Sequence, residues 1–347
     1  MRPSKPSPRS ANRNSGEAKE DYRMRRRTLL AGGLAGMAAR PRAWAQPAYP
    51  DRPIRVIVSF AAGGPTDIVM RKLAEKMAPL LGQPIVVENR TGASGTIGSA
   101  EAARARPDGY TLLVAVSSSH SIAANLMRQP GFHPVNDFAG VGVICVVPIC
   151  IGVNPLVPAQ TLAELVALVK REPGRYSFST SGTGGVAHLA AELFMRQAGG
   201  LRMNHIPYRG AGPGLQDVMA GHVPIYIDSA GNAVDAHRSG RLRLLAQFVE
   251  RRVSALADVP TALESGIPEM IAYTYNAILT PAHTPARPIA ALHGAMRRVI
   301  ADTDFREFLR TVAAEPLDST PESTLTFVKS EYEKWQPIIR DAGLTIE

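Results

Sequence analysis

Five loops rich in glycine, serine and threonine carry the residues of this chain that could do chemistry. They span residues 61–67, 92–98, 117–120, 180–185 and 208–214. Each follows a predicted strand and so lies at its carboxyl end, the edge where open α/β sheets bind ligands. Glycine lets a backbone approach a ligand, and the first N–H groups of a helix have no partner inside it. Such an edge can hold a carboxylate through backbone N–H groups and hydroxyls, without Lys or Arg.

The first of these loops has the clearest pattern. A strand-like run over residues 54–60 ends at Gly63-Gly64, and Pro65 begins a predicted helix. Asp67 lies in the first turn of that helix, where a cap is the favoured role and contact with a ligand amine is the alternative. A strand, a glycine turn and a helix start together predict a ligand cradle.

The sequence offers only weak support for catalysis. Ser117–Ser119 stand beside His120, but adjacent residues seldom align as nucleophile and base, and no orienting carboxylate is near. Gly182-x-Gly184 begins a dinucleotide-like fingerprint, yet no acidic residue ends the next strand to bind a ribose. The phosphate-loop and nucleophile-elbow motifs are absent from the sequence. We therefore predict no catalytic residue and no cofactor.

Four charged or titratable residues outside the first loop are weighed as site residues. His188 and Glu192 lie four apart on a predicted helix, but no third ligand stands out, so a capping or packing role for His188 is favoured and no metal is predicted. Asp228 ends an apolar strand and is a candidate for the cleft. Arg209 is the only Lys or Arg in the five loops; it either meets a second ligand carboxylate or forms a salt bridge at a hinge.

The net charge of +9 resides at the amino terminus. Residues 1–45 hold 11 Lys/Arg and 3 Asp/Glu, which leaves 28 basic and 27 acidic residues, a net of +1, for the remainder. The basic balance therefore predicts no nucleic-acid partner.

The amino terminus has the pattern of an export signal. Arginines at 23–27 precede a short apolar run over 28–39, and an A-x-A site predicts cleavage after Ala45. Sec and twin-arginine export both remain open, as does Met24 as the true start. We expect a periplasmic protein, since no later segment reaches the roughly 18 apolar residues of a spanning helix. Cys145 and Cys150 are five apart, which favours two buried thiols over a disulfide.

The elements that position these loops alternate between strand and helix, which predicts an α/β protein with mostly parallel sheets. A strand-like stretch over 141–153 is predicted to cross from one domain into another. We place domain 1 at 46–148 plus 275–347 and domain 2 at 149–274, with a ligand cleft between them. Two similar halves joined by crossing segments suit a cleft that closes on a ligand.

Several ordered blocks resemble one family, the substrate-binding proteins of tripartite tricarboxylate transporters, also called Bug receptors. The similarity covers 49–347. The blocks are YPDRPIRVIVSFAAGGPTD, LGQPIVVENRTGASGTIG, PDGYTLLVA, TLAELVALVKREPGRYSF, SGTGGVAHLAAELF, IPYRGAGPGLQDVMAGHV, DVPTALESGIP and YEKWQPIIRDAGL.

The resemblance implies a type II periplasmic-binding-protein fold, capture of a small organic acid, delivery to a membrane permease, and no catalysis; we expect a monomer. It implies that the first loop holds one carboxylate through backbone groups and water. Residues from both domains would add hydrogen bonds. The implied ligand-binding residues are Phe60, Ala61, Gly63, Gly64, Asp67, Ser117, Ser118, Thr180, Ser181, Gly182, Thr183, Gly184, His188, Tyr208 and Asp228.

The chain also departs from the family pattern. Ser59 stands where proline is common, and Tyr275-Asn276-Ala277 stands where Trp-x-Gly is usual. Ligand identity is left open among dicarboxylates, tricarboxylates, aromatic acids and amino acids. Two other functions are kept as alternatives: a periplasmic hydrolase using Ser118 or Ser119, and a solute sensor that signals to a membrane kinase.

Overall fold

The computed structural model describes residues 49–345. The predicted export signal and its cleavage after Ala45 lie outside the described residues. Among the helices of 49–345, none combines the length and the apolar composition that crossing a membrane requires.

The strands and helices of the described part alternate over much of its length. The strands are β1 (Ile54–Val58), β2 (Ile85–Asn89), β3 (Thr111–Val116), β4 (Phe138–Val153), β5 (Ser177–Thr180), β6 (Asn204–Pro207), β7 (Ile225–Ser229), β8 (Arg243–Gln247), β9 (Tyr273–Pro281) and β10 (Glu315–Pro316). The helices are α1 (Pro65–Leu81), α2 (Thr96–Ala103), α3 (Ala123–Leu126), α4 (Leu162–Arg171), α5 (Val186–Gln197), α6 (Ala211–Met219), α7 (Ala230–Arg238), α8 (Ala286–Ala301), α9 (Thr303–Thr311) and α10 (Pro321–Asp341).

One sheet with two different halves organises the molecule. Its strand order is β2-β1-β3-β9-β4-β7-β5-β6, with β8 and β10 also paired to β4. In the first half, β1 runs parallel to β2 and β3; in the second half, β5 runs parallel to β6 and β7. Antiparallel pairing is confined to the strands around β4 and β9. This is the two-domain α/β fold that the sequence predicts.

The long strand β4 joins the two halves. Up to Pro148 it pairs with β9, and from Ile149 onward it pairs with β7 and β8. Most of its 16 residues are buried, which explains why its sequence is an almost continuous apolar run without alternation.

The first helix shows why local sequence sets the position of a loop. Pro65 occupies the first turn of α1, where its missing N–H costs nothing, and Gly64 is the N-cap. Gly82 ends the helix with φ of 70°, a left-handed conformation that glycine adopts without strain. The helix that the sequence predicts to begin at Pro65 is confirmed.

The carboxyl-terminal helix α10 packs on both halves of the sheet. Val328 lies in an apolar cluster with Tyr275 of β9, whereas Trp335 lies in a second cluster with Phe178 of β5. Both aromatic side chains, Trp335 and Tyr275, are fully buried. The helix therefore lies across the connection between the halves.

Two local expectations need correction. Residues 117–120 were expected to be an irregular loop, but Ser117–Ile122 form a π-helical segment that continues into α3. Helix α6 begins at Ala211, not Leu215, because Pro213 falls within its first turn, where proline is tolerated. Cys145 and Cys150 are free and buried, as expected.

Candidate functional site

The first loop is held in place by Asp67. One carboxylate oxygen accepts the Gly63 N–H at 2.9 Å and the Arg71 Nε–H at 2.9 Å; the other accepts an Asn89 side-chain N–H at 2.9 Å. The same Asn89 amide donates to the carbonyl of Phe60 at 2.9 Å. With its side chain only 2% exposed, Asp67 fixes the loop from beneath.

The charge state of Asp67 follows from these contacts. Hydrogen bonding to the Arg71 guanidinium is the largest cause that lowers the pKa of Asp67 to about 2, and the N–H groups of Gly63 and Asn89 act in the same direction. The carboxylate is therefore ionised throughout the physiological range.

The π-helical segment Ser117–Ile122 lies at the end of β3 and is tied to β9. The Ser117 hydroxyl donates to the Tyr273 carbonyl at 3.1 Å and accepts the Tyr275 N–H at 2.9 Å. The hydroxyls of Ser121 and Tyr275 are 2.6 Å apart. Ser117 is fully buried, but Ser118 is half-buried and faces outward from the segment.

The loops of the two halves meet on either side of this segment. A Cβ built on Gly95 would lie 2.5 Å from Ser119 Cβ, so the second loop packs directly on the π-helical residues. A Cβ built on Gly184 would lie 3.3 Å from Leu126 Cδ1, so the turn of the second half packs on α3. The structure thus brings loops 92–98, 117–120 and 180–185 together.

Asp228 holds the turn at 180–184. Its carboxylate accepts the Ser181 N–H at 2.5 Å and the Ser229 N–H at 2.7 Å, and its carbonyl accepts the Cys150 thiol at 3.3 Å. The side chain is 4% exposed, and burial raises the pKa of Asp228 although the two N–H donors oppose the shift. Asp228 lies beneath the turn, as Asp67 lies beneath the first loop.

Two histidines hold the ends of the same turn. The Gly184 N–H donates to His188 Nδ1 at 3.1 Å, and His205 Nε2 lies 2.7 Å from Thr180 Oγ1. The imidazole rings of His188 and His205 stack with centroids 4.0 Å apart. Burial lowers the pKa of His188; burial and the His188 neighbour lower that of His205 to about 4.

Tyr208 and Arg209 follow β6 beside this turn. The Tyr208 N–H donates to the Thr180 carbonyl at 2.9 Å, and the Tyr208 hydroxyl donates to Asp217 at 2.6 Å. Burial and the Asp217 carboxylate raise the pKa of Tyr208 to about 12. Arg209 is exposed and is in no ion pair within residues 49–345, so the alternative of a hinge salt bridge is not what the structure has.

The candidate residues divide into those that can touch a ligand and those that hold the loops. The exposed or half-buried residues are Phe60, Ala61, Gly63, Gly64, Ser118, Ser181, Gly182, Thr183 and Tyr208. The buried residues are Asp67, Ser117, Thr180, Gly184, His188 and Asp228.

Each half of the sheet presents the amino end of a helix to this region. Helix α1 begins after Gly64 and α5 after Gly185, and neither N-cap has a side-chain hydrogen bond. The N–H groups of Thr66 and Asp67, and of Val186 and Ala187, precede the first helical hydrogen bonds, which Ile68 and Leu189 make. Two such ends form two places suited to negative charge.

The site lacks the arrangement that hydrolysis by Ser118 or Ser119 would need. His120 is fully buried, its Nε2 lies 2.8 Å from the Pro134 carbonyl, and its ring packs on Phe132. Burial lowers the pKa of His120 to about 4. The histidine is therefore engaged in the core and does not act as a base for either serine. Among residues 49–345, no three His, Cys, Asp or Glu side chains are grouped to hold a metal.

Of three residues that organise the site, Asn89 and His205 were not singled out from the sequence, and Tyr275 was noted there only as a departure from the family pattern. Each of the three forms a hydrogen bond with a residue distant in the chain. Asn89 bonds to Phe60, His205 to Thr180, and Tyr275 to Ser121. Asn89 and His205 do lie in or beside β-strands that precede glycine-rich loops, which is the one signal that could have pointed to them.

Comparison with known proteins identifies the family. The model of the tripartite tricarboxylate transporter family receptor matches residues 69–344. The chain belongs to this family. Its members are periplasmic solute-binding receptors and not enzymes, so the chain is a solute-binding receptor.

Relatives of this receptor match over most of their length. Protein BugT of Bordetella pertussis is 34% identical over 300 residues, covering 86% of this receptor and 92% of BugT. The structure of the periplasmic binding protein BugD is 34% identical, with a TM-score of 0.70 over 86% of this receptor and 100% of BugD. MatC of Rhodopseudomonas palustris, solved with bound malate, is 31% identical, with a TM-score of 0.69 over 84% of this receptor and 100% of MatC.

Proposed function

We propose that this receptor is a monomer that is exported to the periplasm, with cleavage after Ala45. There it captures a small dicarboxylate and delivers it to a tripartite tricarboxylate-type permease. The observation that carries the proposal is the pair of open helix ends: one follows Gly64, at the edge where β1 runs parallel to β3, and one follows Gly185, beside the turn whose Gly184 packs on Leu126. Two sites for negative charge suit a ligand with two carboxylates.

The proposed ligand contacts are the accessible groups of both halves. Backbone N–H groups of the first loop and of α1 would bind one carboxylate, and Ser118 would add a hydroxyl. Ser181 and Thr183 would bind the other carboxylate with the first N–H groups of α5. Arg209, exposed and without an ion pair, would approach that second carboxylate. Desolvating a carboxylate requires several such donors.

Delivery requires that the receptor respond to its ligand. We propose that the two domains, 46–148 plus 275–347 and 149–274, close on the ligand. The point where β4 exchanges β9 for β7, between Pro148 and Ile149, supports this boundary. A ligand that touches both halves binds the closed state better, and that difference in affinity shifts the equilibrium toward closure.

The experiment is a binding screen on protein freed of ligand by unfolding and refolding. Malate, succinate and adipate are compared with the matched monocarboxylates butyrate and hexanoate, first by thermal shift and then by calorimetry. A ligand at a hundred times its Kd stabilises the folded protein by about 2.7 kcal/mol, which shifts the Tm by roughly 4 °C for a chain of this size.

We expect the dicarboxylates to shift the Tm and the monocarboxylates to bind at least about tenfold more weakly, because one helix end is then left empty. Equal affinity for both classes would contradict the dicarboxylate assignment. Deletion of the gene, followed by uptake of the acid that binds, tests delivery; unchanged uptake at low acid concentration would contradict the transport role.

A further inference from the structure

A stack of three rings supports the turn at 180–184. His205 lies between His188, at 4.0 Å between centroids and 13° between planes, and Phe178, at 5.1 Å and 19°. Phe178 is fully buried in the core and His188 is 6% exposed, so the stack has a rigid base. His205 is thereby fixed in orientation.

The hydrogen bonds define which nitrogen of each ring carries a proton. Thr180 Oγ1 donates to the Gly182 carbonyl at 3.0 Å, so it must accept from His205 Nε2–H. His188 Nδ1 accepts the Gly184 N–H and therefore carries no proton. The proton of the neutral ring lies on Nε2, which is 3.6 Å from Glu192. One ring holds the start of the turn and the other holds its end.

Protonation of His188 is incompatible with this arrangement, whereas a protonated His205 would keep its Nε2–H donor to Thr180. A proton on Nδ1 of His188 would face the Gly184 N–H, so the hydrogen bond would be lost. Two protonated rings stacked at 4.0 Å would also repel each other.

We propose that His205 and His188 act as a pair of positioning residues, and that ligand affinity falls when the pair takes up a proton because the 180–184 turn loses its geometry. This inference rests on the proposed function, since it concerns the half of the site that would bind the second carboxylate. Burial lowers the pKa of both rings, that of His205 to about 4, which is consistent with a neutral pair at pH 7.

Other titratable groups lie around the two histidines, and the tests must distinguish their titration from that of the pair. Glu192 lies on the same helix as His188, and burial raises the pKa of its carboxyl. Asp228 at the end of β7 holds the turn through Ser181, and burial raises its pKa as well. His120 lies in the π-helical segment and is bound to a carbonyl. Helix α10 contributes Asp341, which pairs with Arg196 at the far end of α5.

The first test reads the turn without any ligand. Labelling with 13C-carbonyl threonine and 15N-glycine selects glycines that follow threonine, and the sequence has two, Gly92 and Gly184. On acid titration, we expect the Gly184 amide signal to shift with the same midpoint as the C2–H of His188, while Gly92 stays unchanged. A Gly184 signal that does not follow His188 would overturn the proposal.

The second test measures affinity for malate by calorimetry between pH 7.5 and pH 4.5. His188→Asn keeps a side-chain oxygen to accept the Gly184 N–H and cannot be protonated, so we expect its affinity to fall less between pH 7.5 and pH 4.5 than that of the native chain. His205→Phe keeps the stack without the donor and should bind about five- to tenfold more weakly at pH 7.5.

The matched control is His222→Gln, an exposed histidine of the same half, which should follow the native pH profile. Comparing variants at each pH cancels the titration of malate and of Asp228. If His188→Asn loses affinity in acid as steeply as the native chain, the proposal is wrong. If malate fails to bind the native chain, the proposed ligand class fails, whereas the Gly184 titration still decides this inference.

Discussion

The two halves of the site hold their loops in place by different interactions. Each presents a helix that starts after a glycine N-cap, and each holds the preceding loop with a buried aspartate that accepts a backbone N–H. Asp67 pairs with the Arg71 guanidinium and accepts a hydrogen bond from the Asn89 amide, and its pKa is lowered to about 2. The Asp228 carboxylate accepts the backbone N–H groups of Ser181 and Ser229 and pairs with no cation among residues 49–345, and burial raises its pKa.

The difference follows from where each carboxylate lies. Asp67 is on the outer first turn of α1, so the guanidinium of Arg71, one turn along the helix, reaches it while staying half-exposed. Asp228 is within β7 in the interior of the sheet, where a cation would itself have to be desolvated. The first loop is therefore held by local charge pairing and the 180–184 turn by burial and hydrogen bonds.

We expect the largest effect on ligand affinity from substitution of the two N-cap glycines. Their backbone conformations are nearly the same: φ −74° and ψ 164° at Gly64, φ −80° and ψ 171° at Gly185. A Cβ at Gly64 would lie 3.2 Å from the Ala61 carbonyl, whereas none of the described atoms approaches a Cβ at Gly185 within 4 Å. We expect Gly64→Val to abolish ligand binding and Gly185→Val to weaken it less. Calorimetry with the best ligand of the screen measures both.

Thermal melts of both variants serve as the control, because the folded structure should remain largely intact. If Gly64→Val binds with undiminished affinity, the first loop is not the cradle. If Gly185→Val is the more damaging change, the second half dominates recognition, and the assignment of the first carboxylate site must be reversed.

The next largest effect is expected on the free energy of unfolding, from the matched variants Asp67→Asn and Asp228→Asn. Asp67→Asn breaks the ion pair and places an amide against N–H donors, so we expect it to lower the free energy of unfolding by about 1–3 kcal/mol. Asp228→Asn also loses an acceptor but involves no cation, so we expect a loss near the lower end of that range. Urea unfolding at pH 7 measures both.

High salt should affect the contributions of Asp67 and Asp228 to stability differently. The contribution of Asp67 should shrink in 1 M NaCl because Arg71 is half-exposed, while that of Asp228 should not. Equal salt sensitivity of the two variants would show that charge pairing does not distinguish the halves.

The smallest effect is the pH dependence of Asp67. Its folded pKa lies below its unfolded value of about 3.8, so its contribution to stability is complete above that value and is lost as pH falls toward 2. Since Arg71 is partly screened by solvent, the loss by pH 3 is no more than about 1 kcal/mol. Urea unfolding of the native chain and of Asp67→Asn between pH 5 and pH 3 should converge; parallel curves would contradict this account.

Much of the fold could be predicted because its signals are local. The glycine cap at Gly82, the proline start at Pro65 and the apolar run of β4 each act within a few residues. The π-helical form of Ser117–Ile122 could not be predicted, since it accompanies contacts with Tyr273 and Tyr275 more than 150 positions away.

The sequence by itself determined the α/β class, the loops at the strand ends and the family, because hydrophobic periodicity and turn residues act at short range. Only the tertiary structure decided which polar residues stay accessible and which hold the loops. The family resemblance implies that Asp67, His188 and Asp228 contact the ligand, yet all three are buried beneath the loops they support. The physical reason is that a buried polar group must find its hydrogen-bond partners wherever the packed chain places them, as Ser181 does for Asp228 across 47 positions.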